Sequence, residues 1–89
     1  MYEKKATIME QVGLHARPAT FLIQKANEFK CSIWIEKDER RVNAKSLLGV
    51  LSLGVSRGST ISIIADGSDE VAAVNTLYDL INSGFAEED

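Results

Sequence analysis

The segment Gly13-Leu14-His15-Ala16-Arg17-Pro18 holds the residues best suited to chemistry. His15 is the only histidine of the chain. It precedes a stretch that reads as a helix, where the first backbone N–H groups lack intrahelical acceptors and the helix dipole is positive. An anion attached to the imidazole would meet those donors. Arg17 adds a planar guanidinium whose fork matches phosphate oxygens. The same positive field disfavours imidazolium, so His15 is expected to be neutral, and the neutral ring is the nucleophile. A nucleophile, an anion-binding helix end and an arginine within one turn fit transient capture of a phosphoryl group. These residue types also fit, and on local chemistry fit more often, a histidine that merely caps the helix and an arginine solvated on its surface. Local chemistry alone leaves both readings open.

Ser46 stands before a run of aliphatic residues, where its hydroxyl can cap a short helix. A phosphate at that position would be electrostatically tolerated for the same reason that one is at His15. Other conspicuous residues have plainer explanations. Cys31 reads as a small packing residue and Trp34 as an aromatic on the outer sheet face. The acidic end 86–89 reads as a solvated tail. No glycine-rich loop of P-loop spacing is present, so ATP binding by this chain is not expected, and neither a metal nor an organic cofactor is called for.

The elements that must position these residues follow from periodicity. Ala6 and Ile8 alternate with Lys5, Thr7 and Met9, which predicts a half-buried strand over 4–9. Ala19, Leu22, Ile23, Ala26 and Phe29 form one apolar stripe of a helix over 16–28, with Pro18 in its first turn. A strand over 32–37 points Ile33 and Ile35 inward and Ser32, Trp34 and Glu36 outward. Lys37-Asp38-Glu39-Arg40 then reverses the chain into a short strand around 41–43. Leu47, Leu48, Val50, Leu51 and Leu53 predict a short helix capped by Ser46. A fourth strand turns Ile61, Ile63 and Ala65 inward and Thr60, Ser62 and Ile64 outward. After a turn at Asp66-Gly67, Ser68 is the expected cap of a last helix. Asp69 and Glu70 lie in its first turn, Val71, Val74, Leu77, Tyr78 and Ile81 form its buried face, and Gly84 is its stop. The order β-α-β-β-α-β-α indicates an α+β fold, with helices layered on one face of a four-stranded, largely antiparallel sheet. Pattern alone leaves the strand order open.

Composition bounds the rest. Eighty-nine residues, 45% hydrophobic and 26% charged, describe a single globular domain over 1–89. A net charge of −3 argues against direct nucleic-acid binding. One cysteine cannot form an internal disulfide and fits a reducing, cytoplasmic compartment. No apolar stretch follows the basic N-terminal residues, so no signal peptide is expected. No window is long enough for membrane insertion.

Two motifs add a resemblance that covers essentially the whole chain. Gly13-Leu14-His15-Ala16-Arg17-Pro18-Ala19 resembles the active-site signature of the HPr family, the histidine-containing phosphocarriers of the bacterial phosphoenolpyruvate:sugar phosphotransferase system. Val42-Asn43-Ala44-Lys45-Ser46-Leu47-Leu48-Gly49-Val50-Leu51-Ser52-Leu53-Gly54 resembles the signature around that family's regulatory serine, in the wording of its Gram-positive branch. The resemblance implies an open-faced sandwich with sheet order 1-4-2-3 and three helices on one face. It implies a monomeric carrier, not an enzyme in the turnover sense. Such a carrier takes a phosphoryl group from phospho-enzyme I onto Nδ1 of His15, with Arg17 beside it, and passes it to the IIA domains of sugar permeases. Ala16, Thr20, Leu47, Leu48 and Leu51 match the surface on which those partners dock.

Ser46 matches the serine that an HPr kinase/phosphorylase modifies in low-GC Gram-positive bacteria, where the product acts with a LacI-type catabolite-control regulator. Two alternatives to sugar transport follow from the same resemblance. One is a regulatory module acting through phospho-Ser46; regulatory paralogues of that kind have lost the histidine that this chain keeps. The other is a carrier in a regulatory phosphorelay. Two positions depart from the family pattern. Val12 stands where Ser, Thr or Asn is usual, and Leu48 and Leu51 stand where Gram-positive relatives often carry methionine.

Overall fold

The computed structural model describes residues 1–8 and 16–83. Its elements are β1 (Tyr2–Thr7), α1 (Ala16–Ala26), β2 (Ser32–Lys37), β3 (Arg40–Asn43), α2 (Leu47–Ser52), β4 (Thr60–Asp66) and α3 (Glu70–Asn82). The four strands form one antiparallel sheet in the order β1-β4-β2-β3. This is the α+β open-faced sandwich with sheet order 1-4-2-3 expected from the resemblance.

Register sets the two sheet faces. Ala6 pairs with Ile61 and, one row further along the same face, Lys4 pairs with Ile63 and Ile63 in turn with Ile35, so this row of side chains runs across three strands toward the helices. Ile33, Ile35, Ile61, Ile63 and Ala65 are buried there, together with Ala19, Leu22 and Ala26 of α1, Val50 of α2, and Ala73, Val74, Leu77, Leu80 and Ile81 of α3. Lys4 lies in the same row. Its ammonium is 4.6 Å from the centre of the Tyr78 ring, which gives the charge an aromatic face at the margin of the core. Lys37 and Arg40 close a two-residue hairpin in which Asp38 (φ 52°) and Glu39 (φ 68°) both adopt left-handed backbone, as the right-handed strand twist requires.

Several expectations are corrected. Strand β1 ends at Thr7 rather than reaching residue 9, although Ile8 is fully buried, and α1 ends at Ala26 rather than 28. Met9, Gly84 and the tail 86–89 lie outside the described residues. Ile64 is buried instead of exposed on the outer face, because β4 is central and is flanked there by Glu3 and Trp34 in register. On α3 the inward stripe runs through Ala73, Val74, Leu77, Leu80 and Ile81. Val71, about 120° round the helix from the middle of that stripe, is 49% exposed, and Tyr78 is half-buried.

The start of α3 departs furthest from expectation. Its N-cap is Asp69, not Ser68, and the Asp69 carboxylate makes no capping bond to its own helix. It accepts instead from the backbone N–H groups of Lys30 (2.9 Å) and Cys31 (3.0 Å). Glu70 accepts from the N–H of Gly67 at 3.0 Å. Gly67 has φ +150°, and a Cβ there would lie 2.6 Å from Cβ of Cys31, so the turn before α3 admits no side chain. The Cys31 thiol and the Lys30 and Cys31 amides all hydrogen-bond Asp69, which holds its carboxyl below the usual carboxylate range. Burial, followed by that bond to Asp69, pushes the Cys31 thiol up to about 11.

A carboxyl whose folded pKa is depressed stabilises the fold above its ordinary pKa, and the contribution disappears as pH falls through the folded value. Asp69→Asn is therefore expected to lower the melting temperature at neutral pH and to converge with the wild type at acid pH. Thermal melts of both proteins across that range check it.

Candidate functional site

Helix α1 starts at Ala16, the residue after His15 in the chain, and carries no acid in its first turn. The positive end of its dipole is therefore not neutralised from within. Pro18 falls in that first turn and is buried, where its missing N–H costs no hydrogen bond. Ala19, Leu22 and Ala26 anchor the helix in the core. His15 lies outside the described residues, as do the side chains of Ala16 and Arg17. What the fold supplies is a helix start of known position, with Arg17 as its second residue.

Helix α2 packs on α1 and on β3. Ser46 is its N-cap, with extended backbone (φ −114°, ψ 119°), and its Oγ accepts from the N–H of Gly49 at 3.1 Å. A Cβ at Gly49 would come within 3.3 Å of that oxygen, so glycine leaves room around the hydroxyl. At the other end of α2, Nη1 of Arg40 donates to the carbonyl of Ser52 at 2.8 Å and Nη2 to its hydroxyl at 3.3 Å. That cation comes from the hairpin and serves the negative end of a helix with no base of its own in the last turn.

The six residues of α2 divide into two sides. Val50 is fully buried, and Leu51 packs partly against the core. Leu47 is 41% and Leu48 80% exposed, an aliphatic pair presented to solvent beside α1. Thr20 is exposed on α1, the helix against which α2 packs. Of the expected docking positions, Thr20, Leu47 and Leu48 are thus exposed to solvent, and Leu51 contributes only its uncovered part. A depression of about 200 Å³ lined by Phe21, Gln24, Lys25 and Glu28 lies further along α1. It falls short of the roughly 300–1,000 Å³ of a ligand pocket. Among the described residues there is no cluster of metal-ligating side chains, and no helix is long and apolar enough to cross a membrane.

Sequence reasoning missed Arg40 at the end of α2 and Lys45 at its start. The Lys45 ammonium donates to the carbonyls of Phe29 (2.7 Å) and Cys31 (2.9 Å). Neither contact has a local sequence pattern.

Comparison with known proteins decides the family. The family model described as the PTS HPr component phosphorylation site matches residues 2–83. The chain belongs to the HPr family. It is an HPr-family phosphocarrier, and the family works with enzymes of the phosphotransferase system. The HPr-like protein Crh of Halalkalibacterium halodurans is 46% identical over 81 residues, covering 91% of this chain and 96% of that protein. The phosphocarrier protein HPr of Neisseria meningitidis serogroup A is 39% identical over 87 residues, covering 98% of each. The crystal structure of HPr-C-His from Thermoanaerobacter tengcongensis shares 48% identity and a TM-score of 0.94, covering 100% of both chains.

Ser46→Ala removes the acceptor for the Gly49 N–H and should cost about 1 kcal/mol of stability, whereas Ser46→Asp keeps an N-cap acceptor and most of that stability. Urea unfolding of the three proteins measures it, and equal midpoints for Ala and Asp would contradict the capping role.

Proposed function

We propose that this chain carries a phosphoryl group on His15 within the phosphotransferase system of the bacterial cytoplasm. It accepts the group from phospho-enzyme I and donates it to IIA domains of sugar permeases. The observation that carries this reading is the family match across residues 2–83, in a sequence that keeps His15 and Arg17 at the start of α1. In the proposed step the lone pair on Nδ1 of neutral His15 attacks the phosphorus of the donor's phosphohistidine in line. The new N–P bond forms as the donor's N–P bond breaks and its electron pair returns to the donor imidazole. Arg17 and the N–H groups at the start of α1 stabilise charge on the equatorial oxygens of the transferring group. Ala16, Thr20, Leu47, Leu48 and the open part of Leu51 form the docking surface. The whole chain works as one monomeric unit and needs no metal or cofactor of its own.

A second role at Ser46 is favoured by its half-buried position capping α2 beside the exposed Leu47 and Leu48. The likeness to a protein named HPr-like protein Crh supports it. An HPr kinase/phosphorylase would modify the hydroxyl, and a LacI-type regulator would read the product. The added negative charge on the docking surface would repel acidic groups of the phosphoryl donor and slow acceptance at His15.

Incubation with enzyme I, magnesium and phosphoenolpyruvate should add one acid-labile phosphoryl group, detected by intact mass. His15→Ala should abolish it, and Arg17→Ala should slow its formation by about 10²-fold. Label retained in His15→Ala would defeat the proposal. Kinase with ATP should add an acid-stable phosphate that Ser46→Ala lacks.

A further inference from the structure

The segment between α1 and β2 is held from both sides by opposite charges. On one side the Lys45 ammonium, half-buried, is bound by the carbonyls of Phe29 at 2.7 Å and Cys31 at 2.9 Å. On the other, the Asp69 carboxylate accepts the N–H groups of Lys30 at 2.9 Å and Cys31 at 3.0 Å. The carbonyl of Phe29 and the N–H of Lys30 belong to one trans peptide unit, so they point in opposite directions. That single unit therefore spans a cation and an anion, and its dipole is aligned with the field between them. Hydrogen bonds with a charged partner are stronger than those between neutral groups, and this segment receives four from two side chains distant in sequence.

Lys45 is also the residue directly before Ser46. Its own backbone is pinned: its N–H donates to Oδ1 of Asn43 at 2.8 Å, the N–H of Ala44 to the carbonyl of Ile33 at 2.9 Å, and the N–H of Ser46 to the carbonyl of Asn43 at 3.1 Å. The carbonyls that bind the ammonium follow directly on the last turns of α1, where the N–H of Phe29 bonds the carbonyl of Ala26. The side chain is thus a strut from the start of α2 to the end of α1.

We infer that Lys45, braced by Asp69 through the 29–31 segment, is a positioning residue that sets α2 against α1 and so shapes the surface on which phosphotransfer partners dock. This inference rests on the carrier reading above. Neither residue belongs to the docking surface itself, whose members all lie on α1 and α2, while Lys45 precedes α2 and Asp69 precedes α3. A positioning role therefore predicts that both act on partner capture rather than on the transfer step.

The test is steady-state phosphorylation of the full chain by enzyme I, well below the melting temperature of each variant. Lys45→Met and Asp69→Asn should each raise KM for the carrier about three- to tenfold, less than the full loss of a charge-assisted hydrogen bond because the effect reaches the docking surface only through the packing of α2 on α1, with kcat unchanged. The double variant should be no worse than the weaker single one, and Lys45→Arg, which can still bind two carbonyls, should restore KM. An unchanged KM in Lys45→Met overturns the inference. So does a raised KM in Lys45→Met with none in Asp69→Asn, the pattern of a lysine that touches the partner directly. Should Lys45→Met fail to fold, Asp69→Asn decides alone, since an unchanged KM there removes the brace. A wild-type chain that accepts no phosphoryl group would instead overturn the carrier reading beneath it.

Discussion

Pairing of β4 with both β1 and β2 is the constraint on which the working end of this molecule depends. It brings residues from the beginning, middle and end of the chain into one row. It also leaves an inner face of isoleucine and alanine that only the helices can cover. Removing that face from water is the dominant favourable term available to a chain of this size. Helix α1 connects β1 at one edge of the sheet with β2 beyond β4, so it must cross over the inner face. Its buried stripe through Ala19, Leu22 and Ala26 fixes its rotation. The start of α1 is therefore determined by core packing rather than by the site's own residues.

The same packing explains why α2 can present aliphatic side chains to solvent. Val50 anchors it, Ser46 and Arg40 satisfy its two ends, and Leu47 and Leu48 remain outside. Two neighbouring exposed leucines are an uncommon surface feature with an obvious use in contacting a partner. A chain that hands its cargo between two proteins needs a surface that releases as readily as it captures. A small apolar patch on a short helix packed against α1 meets that need better than an enclosed pocket would.

Much of this was legible in the sequence, for a physical reason that also sets the limit. Alternation located three of the strands and the charged reversal before Arg41 the fourth, and Ser46 was readable as a cap because its partner, Gly49, is three residues away. Ile64 misled because burial on the outer face depends on which strand is central, and that is a property of topology. Val71 misled because apolar residues at helical spacing can be drawn as more than one stripe until the sheet chooses among them. Asp69 reaches across 38 residues to Cys31 and Lys45 across 16 to Phe29, and no local pattern records such pairs. The expectation for His15 and Arg17 rests on their motif and on the chemistry of a helix start, and the family match spans that stretch of the chain.

The central claim is that the fold brings the start of α1 and the outward side of α2 together as one docking face. Amide chemical-shift mapping of the isotopically labelled chain during titration with enzyme I tests it most directly. The account predicts perturbations concentrated at the start of α1 and at Thr20, Leu47 and Leu48, with the outer sheet face around Ser32, Trp34 and Ser62 left unmoved. Perturbations centred on that outer face, with α2 silent, would contradict it.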